Sequence, residues 1–201
     1  MDAPGLDLTA FVLAGGKSTR MGADKAFVLL DGQTLLSRAL DLARSATAEV
    51  RVVGDPAKFA AFAPTVKDLF PNCGPLGGIH AALRSSRTDL NLILAVDLPF
   101  VSPKLLRYLI GRARSHPAAV TVPQADQRYQ PLCAIYRRAF LEHAEKSLQQ
   151  GQYKIDAAFA AGHAQTITER ELENAGFSSK MFRNLNTPEQ LREARQITSS
   201  R

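Results

Sequence analysis

The sequence predicts an α/β protein built on a mostly parallel sheet flanked by helices. Short apolar runs alternate with segments of helical periodicity along the chain, which is the pattern of such folds. The 201 residues include 45% hydrophobic and 22% charged residues, close to the average for globular domains. That length suggests one domain with a sizeable core, and no linker or repeat divides the sequence. We therefore expect a single domain over 1–201, with a small lid or insertion at about 123–180.

The strands are predicted at short apolar runs bounded by turn residues. The run Leu8–Leu13 ends before Ala14 and two glycines, and Leu90–Val96 is apolar except for Asn91, as expected of a buried strand. In chain order, strands are expected at Leu8–Leu13, Val50–Val53, Thr65–Val66, Leu90–Val96, Ala118–Val122, Leu132–Tyr136, Ala164–Ile167 and Phe182–Leu185.

The helices are predicted from apolar stripes and capping residues. Thr34 is a suitable N-cap before a stripe of leucines and alanines, and Ser102 followed by Pro103 is a frequent helix start. Gly151 would end a helix that begins near Arg137. In chain order, helices are expected from Thr34, over Leu76–Ser86, from Ser102, over Arg137–Gln150, over Ile155–Ala161 and from Thr187 to about Ile197.

Composition and charge argue against several classes of protein. Two cysteines are too few for a disulfide framework or a four-ligand zinc site. The N-terminus lacks the pattern of a signal peptide, and no apolar stretch approaches the ~20 residues that cross a bilayer, so a cytoplasmic protein without membrane association is expected. The formal net charge of +6 favours an anionic partner, but the 7% aromatic content argues against nucleic acid. An anionic small-molecule substrate is the preferred interpretation.

A glycine-rich loop with three cations follows the first predicted strand. Residues 13–25 read LAGGKSTRMGADK, in which glycines allow backbone N–H groups to approach a bound anion. Arginine can hold phosphate oxygens with two hydrogen bonds, while lysine acts as a point charge. The spacing matches neither the Walker A motif nor G-x-G-x-x-G, so a solvated turn with surface cations is the alternative. The glycines are Gly15, Gly16 and Gly22, and the cations are Lys17, Arg20 and Lys25.

Asp97 follows the most apolar predicted strand. Ligands of open α/β sheets bind outside the carboxyl ends of the strands, so an aspartate there is well placed for function. One carboxylate together with substrate phosphates is a usual way to hold Mg²⁺, which keeps several waters. The alternative is that Asp97 caps the following turn through a local hydrogen bond, with Ser102 capping the next helix. Asp68 stands in the same kind of position after a shorter strand.

The segment Gly74–Gly78, which reads GPLGG, has two possible interpretations. It is either a plain entry to a helix or a place where the backbone passes close to a base. Glycine costs roughly 1 kcal/mol against alanine in a helix interior, and this favours the second interpretation.

Four segments together resemble the GT-A-like nucleotidyltransferase family. The first is LAGGKSTRMGADK, whose Asp-Lys ending is similar to the molybdenum cofactor guanylyltransferase branch of that family. The others are DLFPNCGPLGG at Asp68–Gly78, AVDLPF at Ala95–Phe100 and FRNLNTPE at Phe182–Glu189. The resemblance runs from residue 11 to about residue 192, which is nearly the whole chain.

The resemblance implies a Rossmann-like sheet and the Mg²⁺-dependent transfer of GMP from GTP to the phosphate of a molybdopterin-type cofactor, with release of pyrophosphate. We expect a nucleotide-binding part at about 8–122, an acceptor part at about 123–180 and a C-terminal helix at about 187–197. Arg20, Lys25 and Asp97 would be catalytic, with Asp97 as the metal ligand. The implied nucleotide-binding residues are Leu13, Ala14, Gly15, Gly16, Lys17, Lys25, Asp68, Gly74, Pro75, Gly78 and Asp97, and the implied acceptor-binding residues are Gln130, Lys154, Asn184 and Asn186.

Three alternatives stay open on the sequence alone. A cytidylyltransferase of the same family would differ in a few loop contacts to the base, and Gly54 stands where some relatives have an asparagine. A regulatory or adaptor protein would keep the nucleotide pocket without turnover, and a nucleic-acid binder would have a salt-dependent affinity. Gln130 and Lys154 are as consistent with a solvated surface as with acceptor binding. A transient protein partner in cofactor delivery is compatible with the sequence, which does not identify one.

Overall fold

A central sheet, with eight strands in the described part of the chain, organises the fold. The computed structural model describes residues 7–15, 24–156, 159 and 164–199. The sheet has the strand order β10-β7-β9-β6-β1-β4-β5, with β8 paired to β7, while β2 and β3 form a separate hairpin. The strands are β1 Leu8–Leu13, β2 Leu29–Leu30, β3 Gln33–Thr34, β4 Val50–Val53, β5 Thr65–Val66, β6 Leu90–Ala95, β7 Val120–Ala125, β8 Arg128–Tyr129, β9 Cys133–Arg137 and β10 Ala164–Ile167.

The predicted, mostly parallel sheet is confirmed. Strand β1 is parallel to β4 and β6, β4 is parallel to β5, and β10 is parallel to β7. Strand β9 is antiparallel to both of its neighbours, β6 and β7. Leu13 at the end of β1 lies opposite Val53 of β4 and Ala95 of β6, so these strands end at one edge. The residues that follow them therefore meet at the carboxyl edge of the sheet, where ligands of such folds bind.

Helices cover both faces of the sheet. Thr34 caps α1 by accepting a hydrogen bond from the Ser37 N–H at 3.1 Å, and Ser102 caps α4 in the same way.

Within the described part of the chain, no helix is long and apolar enough to cross a membrane. The α-helices whose bounds are described are α1 Leu35–Arg44, α2 Pro56–Phe59, α3 Gly74–Ser85, α4 Pro103–Arg114, α5 Phe140–Gln149, α6 Glu169–Asn174 and α7 Pro188–Ser199, and 3₁₀ helices span Lys25–Phe27 and Ser179–Phe182.

Two apolar cores lie on opposite faces of the sheet. Because successive side chains of a strand point to opposite faces, Ala10 and Val12 pack into one core while Phe11 and Leu13 pack into the other. The first core includes the apolar sides of α1 and α4, and the second includes those of α3 and α5. Strand β1 is thus buried along its whole length, which explains its unbroken apolar run.

Several predicted element boundaries are wrong. No strand forms at Phe182–Leu185, because a 3₁₀ helix ends at Phe182 and the Leu185 N–H bonds a loop carbonyl instead of a neighbouring strand. The helix expected from Arg137 begins at Phe140, because Arg137 still belongs to β9. Strands β9 and β10 lie within the segment 123–180, for which a lid or insertion is expected, and both pair in the main sheet. Residues 155, 156 and 159 are helical, and the rest of the helix expected at Ile155–Ala161 lies outside the described residues.

Gly54, directly after β4, makes close packing of Phe59 possible. A Cβ at Gly54 would lie 2.6 Å and 2.7 Å from two carbons of the Phe59 ring, which is 2% exposed and stacks on Phe27. Overpacking of this kind typically costs about 1–3 kcal/mol. We therefore expect Gly54→Ala to lower the melting temperature by roughly 2–12 °C.

The matched control for this substitution is Gly111→Ala in helix α4. A Cβ there would meet no atom within 4 Å, and alanine is the better helix former, so equal or higher stability is expected. Thermal unfolding of both variants checks the prediction. A Gly54→Ala variant as stable as the wild type would show that the Phe59 ring moves aside at no cost.

Candidate active site

Four side chains from three distant parts of the chain meet at the carboxyl edge of the sheet. The Lys25 ammonium donates hydrogen bonds to Asp97 Oδ2 at 2.8 Å and to Asn186 Oδ1 at 2.6 Å. Asn184 Nδ2 lies 3.5 Å from the same Asp97 oxygen. The Lys25 and Asp97 side chains are 19% and 13% exposed, so this ion pair is largely shielded from water. We call Lys25, Asp97, Asn184 and Asn186 the edge cluster.

Asp97 is held in place through both its backbone and its side chain. It follows β6 in a turn, and its backbone carbonyl accepts a hydrogen bond from the Leu185 N–H at 3.0 Å. Its carboxylate accepts from Lys25, while Ser102 supplies the cap of α4. The geometry therefore favours a functional position for Asp97 over a turn-capping one.

Lys25 is positioned by the short 3₁₀ helix that it begins. Asp24 caps this helix by accepting a hydrogen bond from the Ala26 N–H at 3.2 Å, and the Ala26 side chain is buried in the core. The second Asp24 oxygen accepts from Lys58 Nζ at 2.8 Å. This contact raises the pKa of the Lys58 ammonium through the hydrogen bond and the charge of Asp24. These contacts anchor the backbone from which the Lys25 side chain extends.

The C-terminal segment provides the third side of the edge cluster. The Asn186 N–H donates to Gln190 Oε1 at 2.7 Å, and Thr187 Oγ1 accepts from the Gln190 N–H at 3.2 Å. Gln190 is not among the site residues predicted from the sequence. Its position could have been noticed, because Thr187 and Gln190 have the spacing of a capping box at the start of a helix.

Asp68 lies after β5, against the first turns of helix α3. Its Oδ1 accepts a hydrogen bond from the Phe70 N–H at 2.8 Å. Burial raises the pKa of the Asp68 carboxyl group, and the Phe70 hydrogen bond acts in the opposite direction. A Cβ at Gly77 would lie 2.8 Å from the Phe70 carbonyl oxygen and 3.1 Å from both Asp68 carboxylate oxygens. Gly77 therefore gives the Asp68 carboxylate room beside the helix.

The other glycines at this edge have packing roles that the structure makes clear. A Cβ at Gly78 would lie 3.1 Å from the Leu13 side chain, so Gly78 allows α3 to approach β1 closely. Gly74 has φ +65°, a left-handed conformation that suits glycine, and precedes Pro75 in the first turn of α3. These contacts explain Gly77 and Gly78 as packing positions, and the contact of the GPLGG segment with a base stays a prediction.

The glycine-rich loop is described only at its beginning. The Ala14 N–H donates to the Val53 carbonyl at 3.0 Å, which continues the sheet beyond β1, and Gly15 lies beside Gly54. Gly16, Lys17, Arg20 and Gly22 lie outside the described residues.

The predicted acceptor residues separate into two groups. Asn184 and Asn186 belong to the edge cluster. Gln130 donates from Nε2 to the carbonyls of Ala125 and Arg128 at 3.4 and 3.3 Å, so its carboxamide helps to close the β7–β8 turn. Lys154 is exposed in the segment after α5.

The edge cluster is suited to a Mg²⁺ ion that takes some of its oxygen ligands from the substrate. Among the described residues, no group of three or more His, Cys, Asp or Glu side chains could hold a metal alone. The donor set here is one carboxylate, on Asp97, with the amide groups of two asparagines nearby. Mg²⁺ prefers oxygen ligands, and one or two carboxylates with phosphates and waters are sufficient. The residues present fit such an ion.

Comparison with known proteins assigns the chain to a family. Residues 10–166 match the model of the MobA-like NTP transferase domain. The chain belongs to this family. It is accordingly a nucleotidyltransferase. The edge cluster lies at the carboxyl ends of the strands, where open α/β sheets in general bind ligands.

Relatives of the MobA-like family extend the match over almost the whole chain. A molybdenum cofactor guanylyltransferase from Desulfosudis oleivorans is 36% identical over 93% of this chain and 94% of its own length. A probable molybdenum cofactor guanylyltransferase from Pelotomaculum thermopropionicum is 32% identical, with 94% and 93% covered. The crystal structure of molybdopterin-guanine dinucleotide biosynthesis protein A from Archaeoglobus fulgidus superposes with a TM-score of 0.84 and 27% identity, over 96% of this chain and 100% of that one.

Proposed function

We propose that this nucleotidyltransferase transfers GMP from GTP to the phosphate of a molybdopterin-type molybdenum cofactor, with Mg²⁺ and with release of pyrophosphate. The observation that carries the proposal is the Lys25–Asp97–Asn186 contact at the carboxyl edge of the sheet. It occurs in a chain that is 36% identical to a protein named molybdenum cofactor guanylyltransferase. A lysine can stabilise the negative charge of a phosphate, and a carboxylate beside it can hold the metal ion that binds the same phosphate.

The reaction needs positioning more than acid–base chemistry. An oxygen of the acceptor phosphate attacks the α-phosphorus of GTP, and the bond between that phosphorus and the oxygen bridging to the β-phosphate breaks. The leaving group departs as pyrophosphate. The attacking oxygen is already anionic at neutral pH, so no general base is required. Catalysis then depends on in-line alignment and on stabilisation of the charge that develops at the phosphates.

The edge cluster supplies these requirements in the proposed mechanism. Lys25 neutralises charge at the α-phosphate, and Asn186 orients the Lys25 ammonium. Asp97 holds Mg²⁺, which when bound contributes Lewis-acid stabilisation of phosphate oxygens. Lys17 and Arg20, together with loop N–H groups, hold the β- and γ-phosphates.

We propose that the nucleotide and the acceptor bind on opposite sides of the edge cluster. On the nucleotide side, Asp68 accepts hydrogen bonds from the base or ribose at the start of α3. Its carboxylate is already oriented by the Phe70 N–H, which supports a fixed binding position. On the acceptor side we propose Asn184 and Asn186, with Gln130 and Lys154 further out, in the part of the chain at about 123–180.

The proposal is tested by nucleotide selectivity followed by transfer. The melting temperature is measured with Mg²⁺ and each of GTP, CTP, ATP and UTP. A ligand at 100 times its Kd adds about 2.7 kcal/mol, which corresponds to roughly 5–11 °C for a chain of this size. We expect this shift with GTP and less than half of it with the others. Pyrophosphate release from GTP should then require the molybdopterin acceptor.

Each other outcome points to a named alternative. A larger shift with CTP would reassign the protein as a cytidylyltransferase. Binding of GTP without pyrophosphate release in the presence of acceptor would indicate a nucleotide-binding adaptor. No shift with any nucleotide would contradict the proposal and direct attention to nucleic acid, for which affinity would fall steeply with salt.

A further inference from the structure

We propose that Gln190 is a positioning residue that fixes Lys25 through Asn186, an inference that rests on the proposed function. Gln190 lies in the first turn of α7 and its Oε1 accepts a hydrogen bond from the Asn186 N–H at 2.7 Å. The side chain of the same asparagine accepts from Lys25 Nζ at 2.6 Å. One residue thus links the start of a helix to the cation of the edge cluster.

A comparison within the chain shows that this contact is more than an ordinary helix cap. Helix α6 begins with a standard capping box, in which Glu171 Oε2 accepts from the N–H of the N-cap residue, Thr168, at 2.9 Å. In α7 the corresponding cap is Thr187, which accepts from the Gln190 N–H. The Gln190 side chain, however, bonds the residue before the cap. That residue is the one whose side chain contacts Lys25.

The adjoining contacts leave Asn186 little freedom to move. The preceding residue, Leu185, is buried and donates its N–H to the Asp97 carbonyl at 3.0 Å. The Gln190 hydrogen bond holds the Asn186 backbone on the other side. An asparagine side chain has only two rotatable bonds, so a fixed backbone limits the positions from which Oδ1 can reach the Lys25 ammonium. Loss of the Gln190 acceptor would therefore loosen the group that orients Lys25.

Three variants separate positioning from helix stability. Gln190→Met keeps the size and helix propensity of the side chain but removes the acceptor. Gln190→Glu restores an acceptor at the same place. Thr187→Ala removes the cap of α7 while leaving the Gln190 side chain intact. Each is assayed for kcat and for the KM of GTP, together with its melting temperature.

We expect Gln190→Met to lower kcat about tenfold with a nearly unchanged KM, because a small misplacement of a catalytic group acts on the transition state. Gln190→Glu should recover kcat to within about twofold of the wild type, since a carboxylate accepts the same hydrogen bond. Thr187→Ala should lose thermal stability with kcat retained. Wild-type kcat in Gln190→Met, or equal losses in all three variants, would overturn the proposal.

A second measurement does not depend on turnover. Lys25 is labelled with acetic anhydride in the absence of substrates, and the rate is followed by mass spectrometry of the peptide that contains it. Labelling should be severalfold faster in Gln190→Met than in the wild type and unchanged in Gln190→Glu. Equal rates in all three proteins would refute the positioning role. If the wild type transfers no GMP, the proposed function fails, whereas this labelling series still decides whether Gln190 restrains Lys25.

Discussion

Asp97→Asn is expected to lower kcat for guanylyl transfer by roughly 10²- to 10³-fold, the size of effect seen when a preorganised charge-stabilising group is removed. The substitution keeps the shape of the side chain but removes the negative charge that would hold Mg²⁺. It also removes the negative charge that pairs with the Lys25 ammonium at 2.8 Å. The loss should persist at saturating GTP and should be only partly relieved by higher Mg²⁺ concentrations. Steady-state kcat measured over a series of Mg²⁺ concentrations checks this.

Asp7→Asn is the matched control for this substitution. Asp7 pairs with Arg114 at 2.9 Å, and both side chains are 52% exposed, so the loss of one carboxylate there should leave kcat unchanged. Melting temperatures of both variants separate lost catalysis from lost folding. A near-normal kcat in Asp97→Asn would rule out Asp97 as the metal ligand of the reaction.

Lys25→Met is expected to lower kcat about 100-fold while changing the affinity for GTP much less. The ammonium would act on charge that develops in the transition state, and it contributes less to the bound ground state. Binding of GTP by calorimetry, set beside kcat, separates the two effects. Lys146→Met is the control, because Lys146 is exposed on helix α5 and has no contact with the edge cluster among the described hydrogen bonds.

Lys25→Met is expected to increase the affinity for a metal ion, although it lowers kcat. Without substrates, the Lys25 ammonium occupies Asp97 Oδ2 and competes with a cation for that oxygen. Removal of Lys25 should therefore increase the affinity for Mn²⁺, used in place of Mg²⁺ and measured by electron paramagnetic resonance without nucleotide. An affinity equal to that of the wild type would mean that lysine and metal do not share the oxygen.

The parts of the fold that could be predicted from the sequence are those with a strong local cause. The run Leu8–Leu13 forms β1 with the same bounds, because it is apolar throughout and ends at glycines. Thr34 and Ser102 cap the helices they were expected to cap, since a hydroxyl at that position satisfies a free N–H group. The motifs likewise identified Lys25 and Asp97, which the structure brings together.

The remaining features depend on partners that are distant in sequence. The apolar pattern of Cys133–Arg137 does not indicate that β9 runs antiparallel to its neighbours. The alternation at Phe182–Leu185 suits a strand, but no strand lies beside it, and its backbone bonds the loop after β6. Lys25 and Asn186 are 161 residues apart, so spacing alone could not establish their contact. The role of Gln190 depends on which N–H it bonds, and this too is a property of the folded chain.

The late position of Asn186 in the chain has a consequence for synthesis on the ribosome. At about 5–20 residues per second, the roughly 90 residues between Asp97 and Asn186 take about 4–18 s to translate. During this interval β1 and β6 are already synthesised, but the asparagine that contacts Lys25 is not. A nascent chain interrupted there would contain Lys25 and Asp97 without Asn186. In the proposed mechanism the edge cluster is complete only when translation has passed Asn186, so translation products that end before it would be expected to have strongly reduced activity.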